Sequence, residues 1–290
     1  MTVSRRGIVL SGLGAVVTGC AGGSRSSTPR PLAEHSTTGT PPTTPASTSA
    51  ALPDVAPWTP GAGELVPACK LAAVRRIEAA GNGPETALQV IDAQYGGLLA
   101  DTASVLVVTR SWHVDGGHAV AGGHSFDVRL SRAGSAWRVT AVHPSHSGAP
   151  APVVTANARG VLSSDRITLP PAAVVDIRSG QVHDSVLAAL LAVARTHRPR
   201  VSVIRSGHPL FVFGTTRRSD HPQGRAFDTW AIDGHAVVDP RTPRSLVEDY
   251  MHSVADAGSY NVGGPYLLGS APQWFSDDTH HDHVHAGFLG

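Results

Sequence analysis

The chain has 290 residues, enough for one large domain or two small ones. Its 23 basic and 22 acidic residues leave a net charge of +1. With no arginine cluster interleaved with aromatics, this balance excludes a nucleic-acid surface.

Residues 1–19 read as a signal peptide. Arg5 and Arg6 precede an apolar run from Ile8 to Thr18 that is shorter than the ~20 residues of a permanent span. "SRRGIVL" resembles a twin-arginine signal, and "VTGC" resembles a bacterial lipobox. Those likenesses imply export, lipidation of Cys20 and anchoring at the outer face of the cytoplasmic membrane, in the cell envelope. Two acyl chains hold far better than one. From residue 20 to 60 Ser, Thr, Pro and Gly predominate. A segment that buries so little apolar surface cannot offset its ordering entropy, so a disordered tether is expected. Cys69 is then the one thiol without an internal partner, and it reads as a small buried apolar residue.

Beyond the tether, "LVPACKLAAVRRIEAA" carries Leu71, Val74 and Ile77 at helical spacing and stops at Gly81-Asn82-Gly83. A second helix is predicted from Pro84-Glu85 through "TALQVIDAQ". Strands are predicted at "ASVLVVTRSW", "HSFDVRLS" and "AWRVTAV", the last two joined by a hairpin turn at "RAGS". Helices followed by an antiparallel meander suggest a small α+β domain over 61–143, distantly similar to the cone-shaped nuclear-transport-factor and cystatin-like folds. His113, His118 and His124 lack metal-site spacing and read as surface loop residues.

Residues 144–154 read as a linker by their Pro, Gly and Ser. A second α+β domain is expected over 155–290. Its elements are a helix at "DSVLAALLAVARTH", a strand at "RVSVIRSG", a strand at "AFDTWAI", a turn at Asp233-Gly234, a helix at "RSLVEDYMHSVADAG" and a final strand at "HDHVHAGF". Along that last strand, residues two apart share a face, which sets His283 beside His285 and turns Val284 to the core. His221 stands seven residues before Asp228, with Gly224 between them to turn the backbone. Folded together, these stretches bring imidazoles and a carboxylate to one point, the composition of a catalytic zinc site with one position left for water.

Ser219, His221, Gly224, Ala226 and Asp228 fill S-x-H-x-x-G-x-A-x-D, and "HVH" at 283–285 supplies a terminal H-x-H. This resembles the zinc peptidases of the lysostaphin, D-alanyl-D-alanine peptidase and hedgehog group, over roughly residues 200–290. The resemblance implies an antiparallel sheet with helices and one zinc ion held by His221, Asp228 and His285. It also implies that His283 is the unliganded catalytic partner. The implied activity is hydrolysis of peptidoglycan stem peptides or cross-links, by attack of zinc-bound water on a carbonyl that the metal polarises. Family members with E-x-x-H use a glutamate as base; here His283 must serve, helped by Asp282 or Asp278. The "SGYRS" of related carboxypeptidases is replaced by "RSGHPLFVFGTTRRSDH", in which Arg205, His208, Arg217 and Arg218 are candidate substrate residues.

Two other readings compete. A non-catalytic zinc-containing binding lipoprotein predicts zinc without hydrolysis. A metal-scavenging tail predicts several weakly held ions. No G-x-S-x-G and no H-E-x-x-H occurs, which sets aside a serine hydrolase and the commonest metalloprotease pattern. No oligomeric state follows from the sequence.

Overall fold

The structure, a computed structural model, describes residues 51–290, which lie within one compact unit. The expected signal peptide, Cys20 and the tether up to residue 50 lie outside the described residues. Residues 51–60 have no regular secondary structure, yet Trp58 packs on a hydrophobic core and its N–H donates to Glu78 at 2.9 Å. Order therefore begins before residue 60, where a tether was expected. No helix among the described residues is long and apolar enough to cross a membrane.

The chain is mixed α+β with antiparallel sheets. It begins with helix α1 (Pro67–Gly81), which starts on Pro67, a residue whose fixed φ suits the first turn. Cys69, Ala73, Val74 and Ile77 face inward at three- and four-residue spacing. The strands β1 (Thr86–Leu98), β2 (Thr102–Asp115), β3 (His118–Gly122), β4 (Ser125–Ala133) and β5 (Ala136–Pro144) follow. They pair in the order β1-β2-β4-β5, with β3 also on β2. Helix α1 covers one face through Leu88, Val90, Ala93, Tyr95 and Val128.

Where a helix was predicted over residues 84–94, residues 86–94 instead form most of β1. Its register against β2 shifts between Val90 and Asp92 and again between Tyr95 and Gly97. Each bulge inserts a residue and flips the alternation, so buried positions appear in pairs and imitate a helical pattern.

Three short helices come next: α2 (Ala156–Ser163), α3 (Pro171–Arg178) and α4 (Asp184–Val193). Thr155 caps α2 by accepting from the Ala158 N–H at 3.1 Å. The second sheet comprises β6 (Pro199–Val201), β7 (Ala226–Ile232), β8 (His235–Ala236), β9 (Asn261–Gly263), β10 (Trp274–Phe275) and β11 (Val284–Gly287), with α5 (Arg244–Asp256) between β8 and β9. Its order is β10-β9-β11-β7-β6, antiparallel except for β10 beside β9. Leu187, Leu190, Phe227, Tyr250, Val284 and Phe288 share its core with α4 and α5. Leu106, Val108 and Ile91 of the first sheet pack on Val203 of the second half.

Candidate metal centre

Antiparallel pairing of β7 with β11 sets His285 directly opposite Asp228. Phe227 and Val284 turn into the core, which leaves Asp228, His283 and His285 for the other side. His221 arrives on a single 3-10 turn, His221–Gln223, that ends at Gly224 with φ 72°. A β-carbon at Gly224 would stand 2.0 Å from the Gln181 carbonyl oxygen, so only glycine allows this turn to close over β7. Ser219, the first position of the motif, receives the His221 N–H at 3.4 Å and accepts the Gln223 side-chain amide on its carbonyl at 3.0 Å.

Three donor atoms converge. His221 Nε2 lies 3.1 Å from Asp228 Oδ1 and 3.2 Å from His285 Nδ1, and His285 Nδ1 lies 2.9 Å from Asp228 Oδ1. His221 Nδ1 donates to the Ile204 carbonyl at 2.8 Å. The tautomer is thereby set, and the Nε2 lone pair faces the other two atoms. Two imidazole lone pairs and a carboxylate oxygen in mutual contact repel unless a cation lies among them. Around a tetrahedral ion with bonds of ~2.0–2.1 Å, ligand atoms stand ~3.3 Å apart, close to this triangle. The residues fit a metal ion. His208 stacks on His221, with ring centres 4.1 Å apart and planes 17° apart, and also lies within ligand reach of His221 and Asp228.

Burial works against charge throughout the group. It would raise the Asp228 carboxyl, but the imidazoles of His221, His283 and His285 packed around it hold it well below the carboxylate range. Burial pushes His285 down to about 4 and His208 well below its usual value, so both are neutral near pH 7. Burial also lowers His283, but Asp228 and Asp282 outweigh it and raise the imidazole. His283 Nδ1 donates to Asp282 Oδ1 at 2.6 Å, and its Nε2 stands 3.9 Å from Asp228 Oδ1.

The group opens into a cleft of about 680 Å³, lined by Gly96, Gly97 and Leu98 of the first sheet, Phe213, Phe275 and His280. His208 and Arg217 of the predicted substrate residues line it too. Arg205 does not: its guanidinium donates to Gln181 and lies 4.0 Å from Asp176, facing a separate cleft of about 640 Å³. Arg218 lies over the Phe211 ring at 5.9 Å, outside the metal cleft. Of the four candidate substrate residues, the structure thus brings His208 and Arg217 to this cleft and places Arg205 and Arg218 outside its lining. Of the two aspartates considered beside His283, Asp282 contacts it, whereas Asp278 lines the cleft and accepts from His281 on its carbonyl.

Sequence reasoning missed Gln94 and Lys70. Gln94 Nε2 donates to Asp228 Oδ2 at 2.6 Å. Lys70 Nζ pairs with Asp282 Oδ2 at 2.7 Å and with Glu64. A second group with metal-ligand spacing, Glu64, His281 and Asp282, is therefore already occupied by an ammonium. That Lys70 is the single lysine of the chain was the one available signal for it. No family model, curated protein or solved structure matches this chain.

Proposed function

We propose that the chain is a zinc-dependent peptidase, exported and lipid-anchored through Cys20, that hydrolyses peptidoglycan stem peptides or cross-links. The observation that carries the reading is the triangle of His221 Nε2, Asp228 Oδ1 and His285 Nδ1, with sides of 2.9 to 3.2 Å, at the floor of a cleft. Two imidazoles and a carboxylate suit zinc, and a zinc ion bound there supplies Lewis acidity and lowers the pKa of a water toward ~7. His221 enters with Nδ1 held by the Ile204 carbonyl, and His285 is kept neutral by burial. His283 stands beside the triangle with Nδ1 committed to Asp282, which leaves Nε2 to hold or pass a proton at the cleft floor. The cleft volume lies in the range of small-ligand sites and admits a short peptide. The cell-wall substrate and the envelope location rest on the motif and leader resemblances alone.

The test is turnover of two defined substrates, a stem peptide ending in D-alanyl-D-alanine and a cross-linked dimer, by the zinc-loaded full chain. Release of D-alanine or cleavage of the dimer is expected, and His283→Ala should keep zinc but lose about 10²–10⁴-fold in kcat. Zinc binding without turnover of either substrate would leave the non-catalytic binding lipoprotein as the better reading.

A further inference from the structure

Asp228 and Asp282, the two carboxylates of the site, are held in the same way. In each, one oxygen faces a site histidine and the other is tied by the first half of the chain. Asp228 Oδ1 meets His221 and His285, while Oδ2 receives the Gln94 amide at 2.6 Å. Asp282 Oδ1 accepts from His283, while Oδ2 receives the Tyr95 N–H at 3.0 Å and Lys70 Nζ at 2.7 Å. Gln94 and Tyr95 are adjacent on β1, and Lys70 lies on α1. Alternation turns Tyr95 into the core under α1 and Gln94 to the opposite face, toward β7.

The amide of Gln94 is itself oriented. Ser202, beside β6, donates its hydroxyl to Gln94 Oε1 and also reaches the Asp228 carbonyl at 3.3 Å. A side-chain amide whose oxygen is committed to a hydroxyl presents its N–H₂ on the other side. Gln94, Ser202 and Asp228 are all buried to within 1% of full burial. In that setting an unpaired Oδ2 would be costly, and the carboxylate would be free to rotate its second oxygen toward the cation.

We infer that the first sheet and α1 are a working part of the metal centre, Gln94 fixing Asp228 for one-oxygen ligation and Lys70, through Asp282, fixing the ring of His283. Both are positioning residues, and the inference rests on the reading of His221, Asp228 and His285 as a metal site. It gives α1 and the first sheet, which carry no motif of their own, a task. Outer partners of this kind typically govern about 10–100-fold in metal affinity.

The experiment loads the full chain with Co²⁺ and records its visible absorption and its affinity against a chelating dye, for the parent, Gln94→Leu and Ser202→Ala. The parent is expected to bind one ion with a tetrahedral spectrum. Gln94→Leu should bind about 10–100-fold more weakly with altered bands, and Ser202→Ala should move in the same direction by less. A general loss of stability would lower the melting temperature and leave the spectrum of the folded fraction unchanged. Should Gln94→Leu fail to fold, Ser202→Ala carries the test. For the second arm, the ¹⁵N signals of the His283 ring should change in Lys70→Met and return in Lys70→Arg. A parent that binds cobalt, with Gln94→Leu and Ser202→Ala matching it in affinity and spectrum, would overturn the inference and leave the metal site standing. A parent that binds no cobalt would overturn the metal reading, and the inference with it.

Discussion

Asp92 shows what the fold tolerates around its buried lysine. The residue is partly exposed, but its Oδ2 is shut from solvent and meets no hydrogen-bond donor. Burial is the main reason its carboxyl is pushed up to about 7, with Lys70 opposing and Asp282 and Glu64 adding to the rise. In the unfolded chain the same group titrates near ~3.9. Below that pH the carboxyl is protonated in both states and costs nothing. Between pH 4 and 7 the folded chain keeps a proton that the unfolded chain has lost, so stability falls as pH rises, by up to about 1.4 kcal/mol per pH unit. Above pH 7 the loss is complete and constant. Asp92→Asn should therefore melt like the parent near pH 4 and increasingly above it toward pH 7, with the gain level beyond. Thermal melts from pH 4 to 8 check this, and a constant difference between the two proteins would contradict it.

At the scale of elements, the site depends on how one turn delivers His221 to a strand. Gly224 at φ 72° closes that turn against the Gln181 carbonyl. Gly224→Ala is expected to cost at least ~1–2 kcal/mol from the left-handed backbone alone, plus the displacement of Gln181, and to weaken zinc binding as His221 shifts. Denaturant titration and zinc affinity measure both, and parent-like values would show that the turn does not position the histidine. The same elements show what was legible. Strands β7 and β11 and helices α4 and α5 were readable because their patterns are local and unbroken. Strand β1 was not, because its bulges erase the period of two. The two-residue β10 and the three-residue β9 hold their places through pairing with distant strands rather than through any periodicity. Helices α2 and α3, at eight residues each, are too short to show an apolar stripe.

At the scale of the whole molecule, the inner ring of the site was legible and the outer ring was not, and sequence distance is the reason. His221 and Asp228 declare themselves seven residues apart, and His283 and His285 two apart. Gln94 meets Asp228 across 134 positions and Tyr95 meets Asp282 across 187, separations at which a single glutamine or backbone amide leaves no pattern. The buried Lys70 with Glu64 and Asp282 has the same character: desolvating these charges is costly, and only the pairing makes it tolerable. The tail histidines divide likewise. His285 belongs to the triangle and His283 stands beside it, whereas His280 lines the cleft wall, held by Asp277 at 2.7 Å, and His281 lies beside Tyr95. The most direct test of the account is the zinc content of the purified full chain beside Asp228→Ala and a His280→Ala/His281→Ala pair. One tightly held zinc per chain is predicted for the parent and for the paired variant, and none for Asp228→Ala. No zinc in the parent, equal metal in Asp228→Ala, or several weakly held ions lost with His280 and His281 would contradict it.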